Sequence, residues 1–155
     1  MRPRLAIVPG DPSGIGPELV AKLLVEKGVR EAADIVLVGD RHLWQRGADQ
    51  AGGSIELNTI AEDEIANFEG LAHLDLHTIK PEDVEVAQVT VAGGTTSLRC
   101  LDKALDLAQA GLVDGLMFAP FNKAAMTSAG LNAEDEHRYM ARYLDFTEYH
   151  SEINV

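Results

Sequence analysis

The sequence predicts an α/β domain with a mainly parallel sheet flanked by helices. Three observations carry this. Short continuous apolar runs, of the kind buried parallel strands show, occur at residues 5–8, 35–38 and 116–119. Each is stopped by turn residues: Pro9-Gly10, Gly39-Asp40 and Pro120. The stretches between them place apolar residues at helical spacing.

In chain order, the first helix opens after Gly16, with Pro17 at a first helical position where its missing N–H costs nothing. Leu19, Val20, Leu23 and Leu24 form its apolar stripe, which ends near Gly28. A helix from His42 to Gln50 turns Leu43 and Trp44 inward and stops at Ala51-Gly52-Gly53. Alternating runs at 55–57, 74–76 and 84–89 predict half-exposed strands or extended segments. The clearest helix carries Leu98, Leu101, Leu105, Ala108 and Leu112 after Gly93-Gly94, with Thr95 and Thr96 as candidate caps and Gly111 near its end. The strand at 116–119 is expected to be buried. Further helices are expected from Lys123 and over 133–144, the latter capped by Asn132 with Glu134, Asp135 and Glu136 in its first turn. Glu152-Ile153-Asn154-Val155 reads as the start of another strand, so the chain is expected to stop mid-architecture.

A chain of 155 residues fits one domain with a real core. A formal net charge of −12 argues against a nucleic-acid partner. An anionic substrate then needs local groups that overcome the overall field. The single cysteine, Cys100, excludes an internal disulfide or a thiolate zinc cluster; between Leu98 and Leu101 it reads as a small core residue. His42, His73, His77 and His150 show no metal spacing and read as surface or packing residues. No apolar run is long enough to span a bilayer, and the N-terminus lacks the apolar stretch of a signal peptide. The expected compartment is the cytoplasm, with no membrane partner.

Ligands of parallel sheets gather at the carboxyl ends of strands. The ends richest in special residues are 10–16 and 120–123. Gly10, Gly14 and Gly16 permit positive φ and close backbone approach, and the following helix N-terminus suits an anion. The loop is not a Walker A motif, having no Gly-Lys-Ser/Thr ending; nor is it a dinucleotide fingerprint, since Leu19 stands where the third glycine belongs. Asp11 adds negative charge, which opposes simple phosphate cradling. Two readings stay open: an anion-binding turn, or a tight strand–helix turn that needs no ligand. At the second strand end, Asn122 offers an amide for a cap or a ligand. Lys123 lies in a first helical turn, where a cation is disfavoured. Its counter-ion is either a substrate anion or Asp11 across the sheet edge, unless it simply reaches solvent.

The run Pro9-Gly10-Asp11-Pro12-Ser13-Gly14-Ile15-Gly16-Pro17-Glu18 resembles the N-terminal signature of the 4-hydroxythreonine-4-phosphate dehydrogenase family. Pro120-Phe121-Asn122-Lys123, followed by Ala129-Gly130, resembles that family's Pro-x-x-Lys motif in the same order. The resemblance implies substrate contacts from Asn122, Lys123 and the pair Glu136 and His137. That pair stands where the family usually places a His-Thr pair against phosphorylated substrate. Three acids at 134–136 would repel a phosphate, so a related polyol acid, a diol or a differently placed phosphate is expected. His137 also shares a helix face with Met140, Ala141 and Leu144, which suits half-buried packing.

The resemblance further implies a two-domain fold like that of isocitrate and isopropylmalate dehydrogenases, with residues 1–155 as its N-terminal portion. It implies a homodimer acting on a small-molecule substrate, with NAD as hydride acceptor. It also implies a divalent metal (Zn, Mg or Co), held by histidines beyond Val155, that polarises the alcohol oxygen. The family's keto-acid product then loses carbon dioxide. No catalytic residue or metal ligand is assigned within this chain. A reading of another class is a non-catalytic anion-binding or interaction domain that retains the fold. The 155 residues alone are predicted to show no dehydrogenase activity; NADH formation by the isolated chain, followed by absorbance, would refute this.

Overall fold

Period-two alternation decides which helices cover which face of the sheet. The computed structural model describes residues 2–148. Strands β1 (Arg4–Val8), β2 (Asp34–Val38), β3 (Leu71–Leu74) and β4 (Gly115–Phe118) pair in parallel, in the order β3-β2-β1-β4. Ala6, Val8, Val36 and Val38 point to one face and pack under the long helix α4 (Val91–Gln109) through Cys100, Ala104 and Leu107. Ile7, Ile35 and Leu37 point to the other and meet Val20 and Leu24 of α1 (Gly16–Val25) and Trp44 of α3 (Arg41–Gln50). The result is a three-layer α/β sandwich, as expected. Leu43, Trp44 and Cys100 are fully buried, and burial pushes the Cys100 thiol up to about 12.

Several elements differ from expectation, each for a physical reason. The first helix ends at Val25, and Gly28 lies inside a separate short helix, α2 (Lys27–Ala32). With both Gly28 and the preceding turn in solvent, no packing contact extends α1. Residues 55–57 and 84–89 form no ladder. Thr59 alone bridges to His73 of β3, and the later segment folds over the first loop, where Ala87 N–H donates to Ser13 O at 2.9 Å. β3 itself lies at Leu71–Leu74, just before the alternation at 74–76. His73 is buried there, between Thr59 Oγ1 (2.9 Å) and Gly39 O (2.7 Å); burial first, against the pull of the Gly39 contact, lowers its pKa and keeps the ring neutral.

Strand β4 is half exposed, contrary to expectation: Met117 is 44% and Phe118 40% accessible. It pairs with β1 alone among the described strands, so its apolar run marks an edge. After it come α5 (Lys123–Ser128) and α6 (Glu136–Tyr143). The last helix begins later than expected because Asp135, not Asn132, is its cap, accepting from Arg138 N–H at 2.7 Å. His150 and the run 152–155 lie outside the described residues.

Helix α4 starts before the glycine pair, capped by Thr90, whose Oγ1 accepts from Gly93 N–H at 3.0 Å. Thr95 and Thr96 are therefore interior. Two glycines inside a helix cost about 1 kcal/mol each relative to alanine, but Gly94 has a packing reason. A Cβ there would overlap the Ala125 carbonyl of α5. Gly94→Ala should therefore destabilise, despite its gain in helix propensity. Overpacking against backbone of about 1–3 kcal/mol predicts a melting temperature lowered by roughly 2–8 °C in thermal denaturation. A raised melting temperature would show that α5 does not press on α4.

Candidate functional site

β1 and β4 are neighbours, so the two special strand ends meet at one edge of the sheet. The first loop carries the chain from β1 into α1, the second from β4 into α5. Asp11 N–H donates to Pro120 O at 3.0 Å, and Ala119 N–H to Val8 O at 3.1 Å. Gly10 makes the junction possible. Its φ is +71°, and a Cβ would overlap the carbonyls of Ala119 and Pro120. Gly16, which opens α1, likewise packs against the Pro9 carbonyl and the Ala119 side chain, and Gly14 N–H closes the turn onto Asp11 O at 3.0 Å. Ser97 of α4 holds the loop from below, donating to Gly10 O at 3.1 Å.

Asp11 is buried and faces inward. Its Oδ1 accepts from Ser13 N–H at 2.9 Å and lies 3.5 Å from where a Cβ on Gly93 would stand. It thus sits at the first turn of α4, which has no acid of its own, and supplies the anion that a helix N-terminus favours. Arg46 of α3 completes the joint, donating to Pro12 O. Its own pKa is lowered by burial and partly restored by the charge of Asp11. Asp11 therefore answers Arg46 and α4; it forms no ion pair with Lys123, contrary to one expectation.

Asn122 accepts from Ala125 N–H at 3.1 Å and caps α5, the cap half of its two expected roles. Lys123 follows as the first residue of α5. It is exposed and has no ion pair or hydrogen bond among the described residues. Glu136 and His137 open α6 and are half-buried. One small cluster gathers these helices: Leu101 and Leu105 of α4, Met126 of α5 and Leu131, with Tyr139, Met140 and Tyr143 of α6 against it. The structure thus brings the 122–123 and 136–137 pairs onto the same flank of α4. Arg46 and Ser97 were missed in the sequence. Ser97 had a signal, a polar residue one turn after Gly93-Gly94 in an otherwise apolar stripe; Arg46 had none, since Pro12 is 34 residues away.

The residues present do not fit the implied metal or dinucleotide. Among the described residues no group of three His, Cys, Asp or Glu side chains converges on a possible ion. Gly10 and Gly16 of the first loop press against residues 119–120. Asp40, at the end of β2 where an acid could meet a ribose, is committed to Thr78 N–H (2.8 Å) and Ile79 N–H (2.7 Å). A cleft of about 700 Å³ opens between Lys22, Arg30 and Glu56 and touches none of the candidate residues. No helix among the described residues is long and apolar enough to cross a membrane.

A family model described as pyridoxal phosphate biosynthetic protein PdxA matches residues 31–155. A Rhizobium meliloti protein, assigned by inference as 4-hydroxythreonine-4-phosphate dehydrogenase 2, is 42% identical across 99% of this chain and 45% of its own length. The D-threonate 4-phosphate dehydrogenase of Salmonella typhimurium is 35% identical across 83% of this chain and 40% of its own. A solved 4-hydroxythreonine-4-phosphate dehydrogenase from Burkholderia phymatum is similar with a TM-score of 0.86 at 27% identity, covering 96% of this chain and 45% of that one. The chain therefore spans about half the length of the relatives it matches. The Rhizobium match takes in the opening loop, which lies ahead of the family-model match.

Removing the Asp11 carboxylate should loosen this joint. Asp11→Ala is expected to cost about 1–3 kcal/mol, from the lost Ser13 bond and an unanswered Arg46. A urea midpoint unchanged from wild type would contradict it.

Proposed function

We propose, because this chain belongs to the pyridoxal phosphate biosynthetic protein PdxA family, that it forms the substrate-gripping half of an NAD-dependent, metal-assisted dehydrogenase. The substrate is a hydroxy acid or its phosphate, either 4-hydroxythreonine 4-phosphate or a related polyol acid. The observation that carries this is Lys123. It is an exposed cation at the first turn of a helix, past the carboxyl end of a parallel strand, with no ion pair among the described residues. Asp11, the nearest acid in sequence logic, is committed elsewhere. An anion brought by the substrate is the group that suits this vacancy in charge.

Glu136 and His137 then face the hydroxyl-bearing part of the substrate, where a carboxylate accepts hydrogen bonds from hydroxyls but repels a phosphate. Asn122 sets the first turn of α5 by capping it and so orients Lys123. The loop with Gly10, Asp11, Gly14 and Gly16 acts as the joint beneath the site. NAD and the divalent metal are held by residues other than those described here. Decarboxylation of the keto acid belongs to those residues too. The protein works in the cytoplasm as a homodimer.

The test uses the full-length protein with NAD, a divalent metal and a panel of phosphorylated and free hydroxy acids, read by NADH absorbance. Lys123→Ala should raise KM about tenfold or more, the loss of one charge-assisted contact, with kcat changed far less. An unaltered KM for every phosphorylated or acidic substrate would overturn the reading and favour a non-catalytic domain.

A further inference from the structure

Helix α6 is held on α4 by two hydrogen bonds of the same kind. Tyr139 Oη donates to Asp102 Oδ1 at 2.6 Å, and Tyr143 Oη to Asp106 Oδ1 at 2.8 Å. Both pairs are separated by 37 residues, and both step four residues along each helix. The helices therefore run in the same direction, in register, with two rungs one turn apart. The same offset sets Glu136 level with Arg99. Nearer the start of α4, Ala125 of α5 presses on Gly94. The two ledges of the candidate site are thus separated by five residues of α4, about 7.5 Å along its axis.

Apolar packing alone does not define that register. Ala141 is the one buried residue of α6; Met140 and the two tyrosine rings are only partly covered. Apolar contact is non-directional and tolerates sliding, whereas a hydrogen bond to a carboxylate loses its geometry at once. A slip of one turn would shift the 136–137 pair by about 5.4 Å, several bond lengths of a small substrate. The rungs are also stable chemically. Burial raises the pKa of Tyr139 and takes Tyr143 up to about 12, so both phenols keep the proton they donate.

We propose that Tyr139 and Tyr143, held by Asp102 and Asp106, are positioning residues that lock the register of α6 and so set the distance between Lys123 and the Glu136–His137 pair. The clamp selects substrates by the length of carbon chain between their anion and their hydroxyl groups. Its premise is that these two ledges face one substrate, as proposed above.

The test uses Tyr139→Phe and Tyr143→Phe, singly and together, in the full-length protein. Phenylalanine keeps the ring and its packing, so folding is preserved and can be checked by near-ultraviolet circular dichroism. The double variant should raise KM about tenfold with kcat changed less than about threefold, and should flatten the preference between substrates one carbon apart. Amide hydrogen exchange across 136–143 should quicken. Asp102→Asn, which retains an acceptor, should behave as wild type. Asp102→Ala should match Tyr139→Phe, and the two combined should be no worse than either. The clamp is overturned if KM and length preference stay unchanged in the double variant, whether or not exchange quickens. If that happens while Lys123→Ala still raises KM, the clamp falls and the substrate reading stands. If Lys123→Ala has no effect, the reading falls and the selective role of the clamp falls with it.

Discussion

Everything at the candidate site depends on how closely two strand ends approach. β1 and β4 lie side by side, and their turns interlock because Gly10 has no side chain to hold the 119–120 carbonyls away. Asp11 N–H then bonds Pro120 O, Ser97 pins Gly10 from α4, and Arg46 braces Pro12 from α3. Each major layer of the sandwich thus contributes one contact to a single small joint. Backbone-to-backbone approach of this kind is unforgiving, since neither partner has a rotamer to change.

A glycine-rich turn between strand and helix invites the idea of a phosphate cradle. Here Gly10 and Gly16 press on neighbouring backbone and Ala119, and the loop's one acid lies at the first turn of α4, its charge partly restoring the pKa of Arg46. In the proposed reading the loop is a fastening. The chemistry that remains open lies one strand over, where Asn122 spends its side chain as a cap and leaves Lys123 exposed. Helix α4 is the beam for all of it. Its Gly93-Gly94 end takes the loop and α5, and its Asp102 and Asp106 take α6.

Much of this was legible in the residues. Apolar runs closed by glycine or proline located β1, β2 and β4, and the spacing of Leu101 and Leu105 located α4. What escaped was whatever depends on distant partners. Gly93-Gly94 read as a boundary because a glycine pair inside a helix is unfavourable locally; only the pressure of Ala125 explains it. The run at 116–119 read as a buried strand because apolarity does not distinguish a central strand from an edge. Asn132 read as a cap because it has the right chemistry, yet Asp135 has both the chemistry and the position. At the site, the two ends of the sheet edge could be named from the sequence, and so could Lys123. The role of Asp11 could not, because Arg46 and α4 reach it through the fold. The tyrosine–aspartate rungs likewise join residues that no local pattern links.

The most direct discrimination between a fastening and a cradle is a titration of isotope-labelled full-length protein with 4-hydroxythreonine 4-phosphate, following backbone amides by nuclear magnetic resonance. The largest shifts are expected at Asn122 to Ala125 and at Glu136 and His137, saturating together, with residues 13–18 little changed. Shifts concentrated at Gly14, Gly16 and the start of α1, with Lys123 silent, would contradict this picture and return the glycine loop to the centre of binding.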